Sequence, residues 1–385
     1  MENKEEKLKV VLISSMQPYS NYSRNLAMGL VKRGVDLIVY AGKKEENKDI
    51  SDCGLVKPLW RKDIRFYTDT LFELIKDKPD VIHIQQEFNM FGGVFLSLLF
   101  PFFLLLLKLF KAKKVVTIHA VVEKSLINKE FVKFFKGDNS NVPPFVLKAF
   151  FKYFYWLTVG FSENVIVHTQ LLKDHLVESY GVNDKKVHVV PVAAWIRFDK
   201  QEKKRGDYFF YFGYLVRRKG LINVVDGFIE FVKKTKNKDM KLYLGGGVIK
   251  GQEFARDEIL GLIKKHKLDD QIKYLGFLES GDVEKYLGNS YAGIVPGVFT
   301  IAASGPLSHI YGYGKCVLAS NVGYLAEEVE DGKEGFLVDN SRWAEAFEKA
   351  VSSKDLIDTI EKNVEEKALK RSNKEVAKMH ISIYR

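Results

Sequence analysis

The chain has only two cysteines, Cys53 and Cys316, and this scarcity limits what the protein can be. Two cysteines cannot form a disulfide framework, so a small disulfide-stapled scaffold is excluded and a reducing compartment is expected. The first ten residues, MENKEEKLKV, are rich in charge and lead directly into an apolar run. They do not have the pattern of a secretory signal peptide, and we therefore expect a cytoplasmic protein.

Long apolar runs are also scarce. The longest uncharged run is VFLSLLFPFFLLLL, residues 94–107, which Pro101 interrupts. As a helix it would be about 21 Å long, against roughly 30 Å for the hydrocarbon core of a bilayer. We expect either a buried helix or an anchor that lies in the membrane plane, and not a transmembrane span.

The composition that remains is globular. The chain has 385 residues, of which 46% are apolar and 28% are charged, and this length favours two domains. The net charge of +11 has two readings. It indicates either an anionic partner, such as nucleotide phosphates, an acidic membrane face or nucleic acid, or a solvated lysine-rich surface.

Short apolar runs alternate with longer stretches of helical periodicity along most of the chain. Predicted strands lie at 9–15, 36–42, 80–85, 114–119, 164–169, 186–192, 208–213, 241–246, 272–277, 292–296, 316–320 and 335–339. This alternation predicts the α/β class, with two doubly wound parallel sheets, each covered by helices, separated by a polar stretch at 197–207. Ligands bind such sheets beyond the carboxyl ends of the strands, so the crevice between the domains is the expected site.

The segment SGPLSHIYGYGK, residues 304–315, has the pattern of a capped helix. Ser304 or Gly305 suits the N-cap, and Pro306 suits the first helical position. The amides around Leu307 would then point out of a helix N-terminus, which carries a partial positive charge and attracts phosphate. The alternative is a capped helix that binds nothing.

A run of cations follows the first strand of the second half. Arg217, Arg218 and Lys219 lie between a predicted strand and a predicted helix in FFYFGYLVRRKGLINVVDGF. Three neighbouring cations repel one another unless an anion joins them, and a diphosphate would do so through charge-assisted hydrogen bonds. The alternative is a solvated basic loop.

With these two features, the chain resembles glycosyltransferase family 4 of the GT-B fold from about residue 8 to residue 385. In the second half the resemblance rests on FGYLVRRKG, LGGG, IKYLGFLESGDVEKYL and SGPLSHIYGYGKCVLASNVGYLAEEVEDGKEGFLV. In the first half it rests on PDVIHIQQEFNMFGG, VVTIHA and VIVHTQLLKDHLVESYG. It implies a first Rossmann-like domain on the acceptor side at 1–197 and a nucleotide-sugar-binding domain at 198–365. The closing segment, 366–385, resembles a helix that crosses back to the first domain.

The resemblance implies transfer of a sugar from a nucleotide-diphosphate donor with retention of anomeric configuration, without a metal and without a cofactor. Lys219, with Arg217 or Arg218, would hold the diphosphate. The amides of Ser304, Gly305 and Leu307 would meet the distal phosphate or the sugar. Lys219, Arg218 and His119 are the expected catalytic residues.

Other positions would contact the rest of the donor and the acceptor. Gly213 and Gly246 would let the chain approach the nucleotide closely, and the backbone at Phe277 would face the nucleobase. His119 occupies the position at which the family has a histidine against the donor sugar. Glu87 would contact the acceptor. No metal-ligand spacing such as H-E-x-x-H is present.

The chain also departs from the family pattern. Ile301 and His309 stand where many members have two glutamates, and Tyr214 stands where an arginine is frequent. The first loop, MQPYSNYSRN, lacks the usual paired glycines, and residues 192–193, Val-Ala, replace a histidine-glycine pair. The alternative function is therefore a catalytically inactive relative that binds sugar nucleotides or acts as a scaffold.

An insertion after His119 is rich in lysine and aromatic residues. Its segments KEFVKFFKG and PPFVLKAFFKYFYWL include Lys148 and Lys152, which are one helical turn apart. This composition predicts either a helix in a membrane interface, with lysines reaching lipid phosphates, or a helix packed within its domain. We expect a glycan or lipid-linked acceptor and possible contact with an anionic membrane at the inner face of the cell membrane.

Other functional classes fit less well. A dinucleotide-dependent dehydrogenase needs G-x-G-x-x-G after the first strand, and LISSMQPYSNYSRN lacks it. A solute-binding protein would need an export signal, and nucleic acid is not an expected partner. The sequence leaves open the nucleobase and sugar of the donor, the acceptor and the oligomeric state.

Overall fold

The computed structural model describes residues 7–16, 21–43, 51–88, 90–136, 140–199, 205–249 and 251–385. It divides into two compact units. The first unit comprises Met1–Ala193, Ile301–Ala303 and Asn373–Arg385. The second comprises Ala194–Thr300 and Ser304–Ser372. Parts of the first loop (17–20), of the polar stretch (200–204) and of the lysine-rich insertion (137–139) lie outside the described residues.

The first unit contains a seven-stranded parallel sheet in the order β3-β2-β1-β4-β5-β6-β7. Its strands are β1 (Lys9–Ile13), β2 (Asp36–Gly42), β3 (Leu55–Trp60), β4 (Val81–Gln86), β5 (Lys113–Ile118), β6 (Asn164–Val167) and β7 (Val187–Val189). Six were predicted from the sequence, whereas β3 was missed. Pro58 and Lys57 interrupt its apolar pattern, and such residues are tolerated there because β3 is an edge strand.

Helices cover this sheet because each carries one apolar stripe that is buried against the strands. They are α1 (Asn21–Lys32), α2 (Arg65–Asp77), α3 (Val94–Leu107), α4 (Lys129–Lys136), α5 (Pro144–Phe161) and α6 (Gln170–Asp174). None of the helices in the described ranges is long and apolar enough to cross a membrane.

The second unit contains a six-stranded parallel sheet in the order β10-β9-β8-β11-β12-β13. Its strands are β8 (Tyr208–Phe212), β9 (Lys241–Gly245), β10 (Ile272–Gly276), β11 (Ala292–Val295), β12 (Val317–Ser320) and β13 (Gly335–Val338). All six were predicted from the sequence, within one residue at the start of each strand. The chain builds outward from β8 to β10 and then restarts at β11 beside β8, so the sheet changes direction between β8 and β11.

The helices of the second unit include the two that flank this change of direction. They are α7 (Leu221–Thr235), α8 (Phe254–His266), α9 (Ser280–Gly288), α10 (Gly305–Gly312), α11 (Gly323–Glu328), α12 (Trp343–Ser352) and α13 (Lys354–Lys370). The closing helix, α14 (Asn373–Tyr384), belongs to the first unit. There it packs on α1, with Val376 and Ala377 fully buried and an ion pair of 3.2 Å between Arg33 and Glu375.

Candidate functional site

Two features predicted from the sequence lie at the carboxyl edge of neighbouring strands in the second unit. Arg217–Lys219 form a short 3₁₀ turn after β8, and α10 begins after β11. Strands β8 and β11 are paired in parallel, with Ile294 opposite Tyr211. Ligands of doubly wound sheets bind at the point where the strand order reverses, which here is the β8–β11 edge.

The basic turn is packed against the loop that follows β11. The amide of Val298 donates a 2.9 Å hydrogen bond to the carbonyl oxygen of Arg218. Gly220 ends the turn with a φ of 63°, a left-handed conformation that favours glycine, and a β-carbon there would lie 3.3 Å from Val298. The turn is therefore held in one place by backbone contacts, and its side chains are not needed to fix it.

The three cations of the turn have different surroundings. The Arg217 guanidinium stacks 4.4 Å from the ring of Phe254 and lies 4.0 Å from Glu258, both on α8. Among the described residues, no carboxylate lies within 4 Å of the side-chain nitrogens of Arg218 or Lys219. Burial, and to a lesser extent the charge of Arg218, lower the pKa of Lys219 from 10.5 to about 8. Two half-buried cations thus lack a counter-ion within the described chain.

The start of α10 is capped as predicted, but the cap uses an amide that was expected to face a ligand. The Ser304 hydroxyl accepts a 3.2 Å hydrogen bond from the Leu307 amide, and the Ser304 carbonyl accepts from Ser308 at 3.2 Å. The Leu307 side chain is buried. Gly305 is exposed, and its amide has no acceptor among the described residues. The open donor at this helix start is therefore Gly305, because Ser304 engages Leu307.

Tyr324 lies at the start of α11 and is buried. Its amide donates a 3.1 Å hydrogen bond to the Thr300 hydroxyl, in the loop between β11 and α10. Desolvation and, more weakly, the charge of Glu328 raise the pKa of the Tyr324 hydroxyl, while a hydrogen bond with the Ser304 side chain and the charge of Arg218 act in the opposite direction.

Glycine turns at the ends of β8, β9 and β10 lie beside this region. The Gly213 amide donates to the Gly245 carbonyl at 3.0 Å, and the Gly246 amide donates to the Gly276 carbonyl at 2.7 Å. A β-carbon on Gly246 would overlap the Gly213 carbonyl, so the close approach of these turns requires glycine. The predicted glycines therefore serve first to bring three strand ends together.

Two exposed aromatic side chains flank Gly247 at these turns. Tyr214 is 57% exposed and Phe277 is 55% exposed. A β-carbon on Gly247 would lie 3.3 Å from the Phe277 ring and 3.6 Å from the Tyr214 ring. Sequence reasoning assigned only backbone to Phe277 and treated Tyr214 as a departure. Tyr214, Gly247 and Phe277 follow three different strands and lie far apart in the sequence. No local sequence pattern therefore indicated that the two rings lie on either side of Gly247.

The positions that replace the family's paired glutamates are engaged inside the protein. The ring of His309 lies 5.8 Å from Phe212 and 6.4 Å from Trp195, and burial lowers the pKa of His309 to about 4. The carbonyl of Ile301, in the first unit, accepts a 2.7 Å hydrogen bond from Val121. Neither side chain can supply the carboxylate that it replaces.

In the first unit, His119 belongs to a chain of hydrogen bonds that is buried at His83, Gln85 and His168 and partly buried at His119 itself. His119 Nε2 lies 2.8 Å from the side-chain amide of Gln85, at Oε1, and His119 Nδ1 lies 3.1 Å from His168 Nε2. Beyond Gln85, the chain continues at 3.1 Å to His83 Nε2, and His83 Nδ1 lies 2.6 Å from the Tyr384 hydroxyl of α14. Both ring nitrogens of His119 therefore have partners within this unit.

Burial is the main reason why these histidines stay neutral. It lowers the pKa of His83 and His119 well below 6.5, and it lowers the pKa of His168 to about 4. Sequence reasoning named His119 alone. The available signal was the alternation in VIHIQQ, where His83 and Gln85 share one face of an otherwise apolar strand.

The remaining predicted residue of the first unit, Glu87, follows β4 and is exposed. Strand β4 neighbours β1 at the point where the order of the first sheet reverses, so Glu87 lies at the carboxyl edge beside this reversal. Within the described ranges, no group of three or more His, Cys, Asp or Glu residues could hold a metal ion.

Two family models together match most of the chain. The model described as glycosyl transferases group 1 matches residues 194–369, and the model of glycosyltransferase family 4 matches residues 20–193. No curated protein sequence matches the chain.

Several solved structures share the fold of all or most of the chain at low sequence identity. HepE of Anabaena, solved with UDP, is 13% identical with a TM-score of 0.73 and covers 98% of this chain and 99% of its own. Sucrose-phosphate synthase of Thermosynechococcus elongatus is 16% identical with a TM-score of 0.72 and covers 98% of both chains. TarM of S. aureus, in complex with Fondaparinux, alpha-GlcNAc-glycerol and UDP, is 15% identical with a TM-score of 0.62. It covers 83% of this chain and 59% of its own.

Proposed function

Since this chain belongs to the family 4 glycosyltransferases of the GT-B fold, we propose that it transfers a sugar from a nucleotide-diphosphate donor with retention of configuration. The reaction breaks the bond between the anomeric carbon and the diphosphate oxygen, which leaves with the electron pair. The acceptor oxygen forms the new bond to that carbon and gives its proton to the departing diphosphate oxygen.

The observation that carries this proposal is the pair Arg218–Lys219 at the β8–β11 edge. Both cations lack a carboxylate partner among the described residues, and their turn is hydrogen-bonded to the loop after β11, the strand that α10 follows. A departing diphosphate develops negative charge, which fixed cations and an open amide at Gly305 would stabilise without rearrangement. Losing one such contact typically costs about 3–4 kcal/mol of transition-state stabilisation. We assign this role to protein side chains, and no metal is part of the proposal.

For the nucleobase we propose the aromatic pair Tyr214 and Phe277. Both rings are more than half exposed and approach Gly247 from two sides, an arrangement suited to stacking on a flat base. HepE has been solved with UDP and with UDP-glucose, so uridine nucleotides are the first donors to test.

For the acceptor we propose a glycan or a lipid-linked sugar, contacted by Glu87. TarM, whose structure holds a glycan ligand beside UDP, supports a glycan acceptor. His119 would contact the donor sugar as a neutral ring. Both of its nitrogens are already hydrogen-bonded, so it would not serve as a strong base.

A catalytically inactive, nucleotide-sugar-binding relative is the competing function. It is favoured by one observation, namely that Ile301 and His309 occupy the positions of the paired glutamates and cannot supply a carboxylate. Slow hydrolysis of a bound donor, or transfer to any acceptor, would decide for the enzyme.

The test is a thermal-shift panel of nucleotide sugars, followed by donor hydrolysis. We expect one donor class to raise the melting temperature and Lys219→Ala to abolish most of that rise. Arg217→Ala is the matched control, because Arg217 already contacts Glu258 and Phe254. A rise that is unchanged in Lys219→Ala would remove Lys219 from the phosphate site.

We also propose peripheral attachment to an anionic membrane. The lysine- and aromatic-rich insertion, which contains α4 and α5, supports it.

A further inference from the structure

Helix α3 exposes an apolar stripe along its whole length. From Val94 to Leu107 it has no charged side chain, and it buries one face that includes Phe100, Phe103 and Leu104. The opposite face and the residue Leu109 beyond it remain exposed, from 38% for Leu98 to 85% for Leu109. The exposed large residues are Val94, Phe95, Leu98, Phe102, Leu105, Leu106 and Leu109. Most exposed apolar residues of soluble proteins occur singly, so a continuous stripe of this kind indicates a contact surface.

Helix α5 adjoins this stripe and adds aromatic residues to it. It buries Leu147, Phe151 and Phe154 but leaves Phe145 70% exposed and Trp156 57% exposed. Tyr153 joins the two helices. Its hydroxyl donates to the Leu98 carbonyl at 2.8 Å, and its ring lies 6.5 Å from that of Phe102.

The exposed apolar residues of the two helices therefore form one surface, here named the α3–α5 face. It consists of Val94, Phe95, Leu98, Phe102, Leu105, Leu106, Leu109, Phe145, Val146 and Trp156.

The two stretches of sequence that contain α3 and α5 carry charges of one sign only. Lys108, Lys111 and Lys152 are exposed, and Lys148 is half-buried. The sequence contains no aspartate or glutamate in 88–122 or in 140–162, the stretches that contain α3 and α5. Lys108 Nζ lies 5.6 Å from the Phe161 ring at the end of α5, so this cation is held at the border of the two helices.

We propose that the α3–α5 face docks on a bilayer surface that contains anionic lipids. Apolar side chains would enter the interface between headgroups and acyl chains while the lysines reach lipid phosphates. Trp156 and Tyr153 have the amphipathic rings that favour this depth. Helix α3, with 14 residues, is too short to cross the hydrocarbon core and lies in the plane of the membrane.

The charge of the α3–α5 face favours an anionic bilayer over a second copy of the chain as its partner. A two-fold dimer brings the same surface of both copies together, so lysines of one copy would face lysines of the other with no acidic partner in either stretch. An anionic bilayer supplies the missing negative charge. The inference does not depend on sugar transfer, because membrane binding can be measured without donor or acceptor.

The experiment is vesicle flotation of the full chain at low and high salt. One vesicle is phosphatidylcholine alone, and the other contains about one-third phosphatidylglycerol. We expect flotation with the anionic vesicle only, and loss of most binding at high salt. In Phe102→Ser/Leu106→Ser and in Lys108→Glu/Lys111→Glu/Lys152→Glu, the binding constant should fall by about 100-fold.

Matched controls separate the face from general properties of the chain. Leu260→Ser/Leu369→Ser removes two exposed apolar residues of the second unit, and Lys238→Glu/Lys354→Glu/Lys362→Glu makes the same change in net charge there. Both should float like the wild type. All variants should keep the thermal shift of the wild type with nucleotide sugars, so failure of docking is distinguishable from failure of the proposed function.

Three outcomes overturn the inference. The wild type fails to float with the anionic vesicle, or it binds both vesicles equally at every salt concentration. Alternatively, the lipid-free protein is a dimer that Phe102→Ser/Leu106→Ser converts to a monomer, which would assign the face to a second copy.

Discussion

In the first unit, Nδ1 of His119 lies 3.1 Å from Nε2 of His168, while Nδ1 of His168 lies 2.9 Å from the carbonyl oxygen of Val190. A carbonyl only accepts, so His168 carries its proton on Nδ1. A neutral His168 then accepts at Nε2, and His119 must donate from Nδ1. The carbonyl oxygen of Val190 thereby determines the tautomer of His119, the histidine that we propose contacts the donor sugar.

The same logic fixes the orientation of Gln85. A neutral His119 that donates from Nδ1 must accept at Nε2, and Gln85 can donate there only through its amide nitrogen. Rotating the amide by 180° exchanges its oxygen and nitrogen without moving the ring partners. His83 Nε2 then donates to the Thr117 hydroxyl at 2.8 Å and to the Gln85 oxygen, and the Tyr384 hydroxyl donates to His83 Nδ1. Every member of the chain is satisfied without a buried charge.

The first prediction is therefore that neutral His119 and His168 both carry their proton on Nδ1. In protein labelled with ¹⁵N-histidine, long-range ¹H–¹⁵N spectra at pH 7 should show His119 and His168 protonated on Nδ1 only. Gln85→Met should shift the His119 resonances and leave those of His309, a partly buried histidine of the second unit, unchanged. A proton on His119 Nε2 would contradict the proposed orientation of the chain.

Buried neutral histidines predict a loss of stability in mild acid. Burial lowers the pKa of His168, His309 and His380 to about 4, and lowers that of His83 and His119 well below 6.5. Between pH 6.5 and 4 the unfolded chain binds protons that the folded chain does not, so stability falls as pH falls. The limiting slope is about 1.4 kcal/mol per histidine for each pH unit.

Urea unfolding at pH 7, 6 and 5 measures this effect above the range in which most carboxylates titrate. We expect the free energy of unfolding to decrease steadily over these steps. A free energy that stays constant from pH 7 to pH 5 would mean that these histidines are solvated.

We expect Lys219 to lower the stability of the ligand-free protein, although its charge is proposed to bind the diphosphate. The pKa of Lys219 in the folded protein is about 8, below the ordinary 10.5. Burying the charged amine therefore lowers the free energy of unfolding by its full amount below pH 8, and this loss disappears as the pH rises towards 10.5. Without ligand, Lys219→Met should stabilise the protein at pH 7 by about 1–2 kcal/mol, allowing for the partial exposure of the side chain. The gain should disappear above pH 10.

Urea unfolding of the wild type, Lys219→Met and the exposed control Lys238→Met at pH 7 and pH 10 tests this. If Lys219→Met lowers stability at pH 7, Lys219 has a structural partner and is not reserved for an anion.

The aromatic pair predicts how the nucleobase is held. Tyr214→Leu and Phe277→Leu remove a ring but keep an apolar side chain, and each should weaken binding of a nucleoside diphosphate by about 1–3 kcal/mol. Inorganic pyrophosphate, which has no base, should bind both variants like the wild type. Calorimetric titration measures both ligands. Equal weakening of pyrophosphate binding would show that the variants disturb the glycine turns and not a stacking site.

The sequence predicted repeating elements well and side-chain partners less well. Alternating apolar runs revealed twelve of the thirteen strands, but β3 carries Pro58 and Lys57 at a sheet edge where the apolar pattern is weak. The cap at Ser304 was predicted, whereas the engagement of the Leu307 amide depends on the geometry of that cap.

Long-range contacts account for what the sequence could not reveal. Arg217 differs from Arg218 because Phe254 and Glu258 reach it from α8, some forty residues along the chain. The histidine chain joins β4, β5, the end of β6 and α14, so its members are neighbours only after folding.

If Arg218 and Lys219 form a diphosphate site, the protein should distinguish a nucleoside diphosphate from its monophosphate. Calorimetric titration, starting with UDP and UMP, measures this preference. We expect the wild type to bind the diphosphate at least about tenfold more tightly, Arg217→Ala to keep this preference and Arg218→Ala/Lys219→Ala to lose it. Equal preference in the wild type and the double variant would show that Arg218 and Lys219 do not hold the diphosphate.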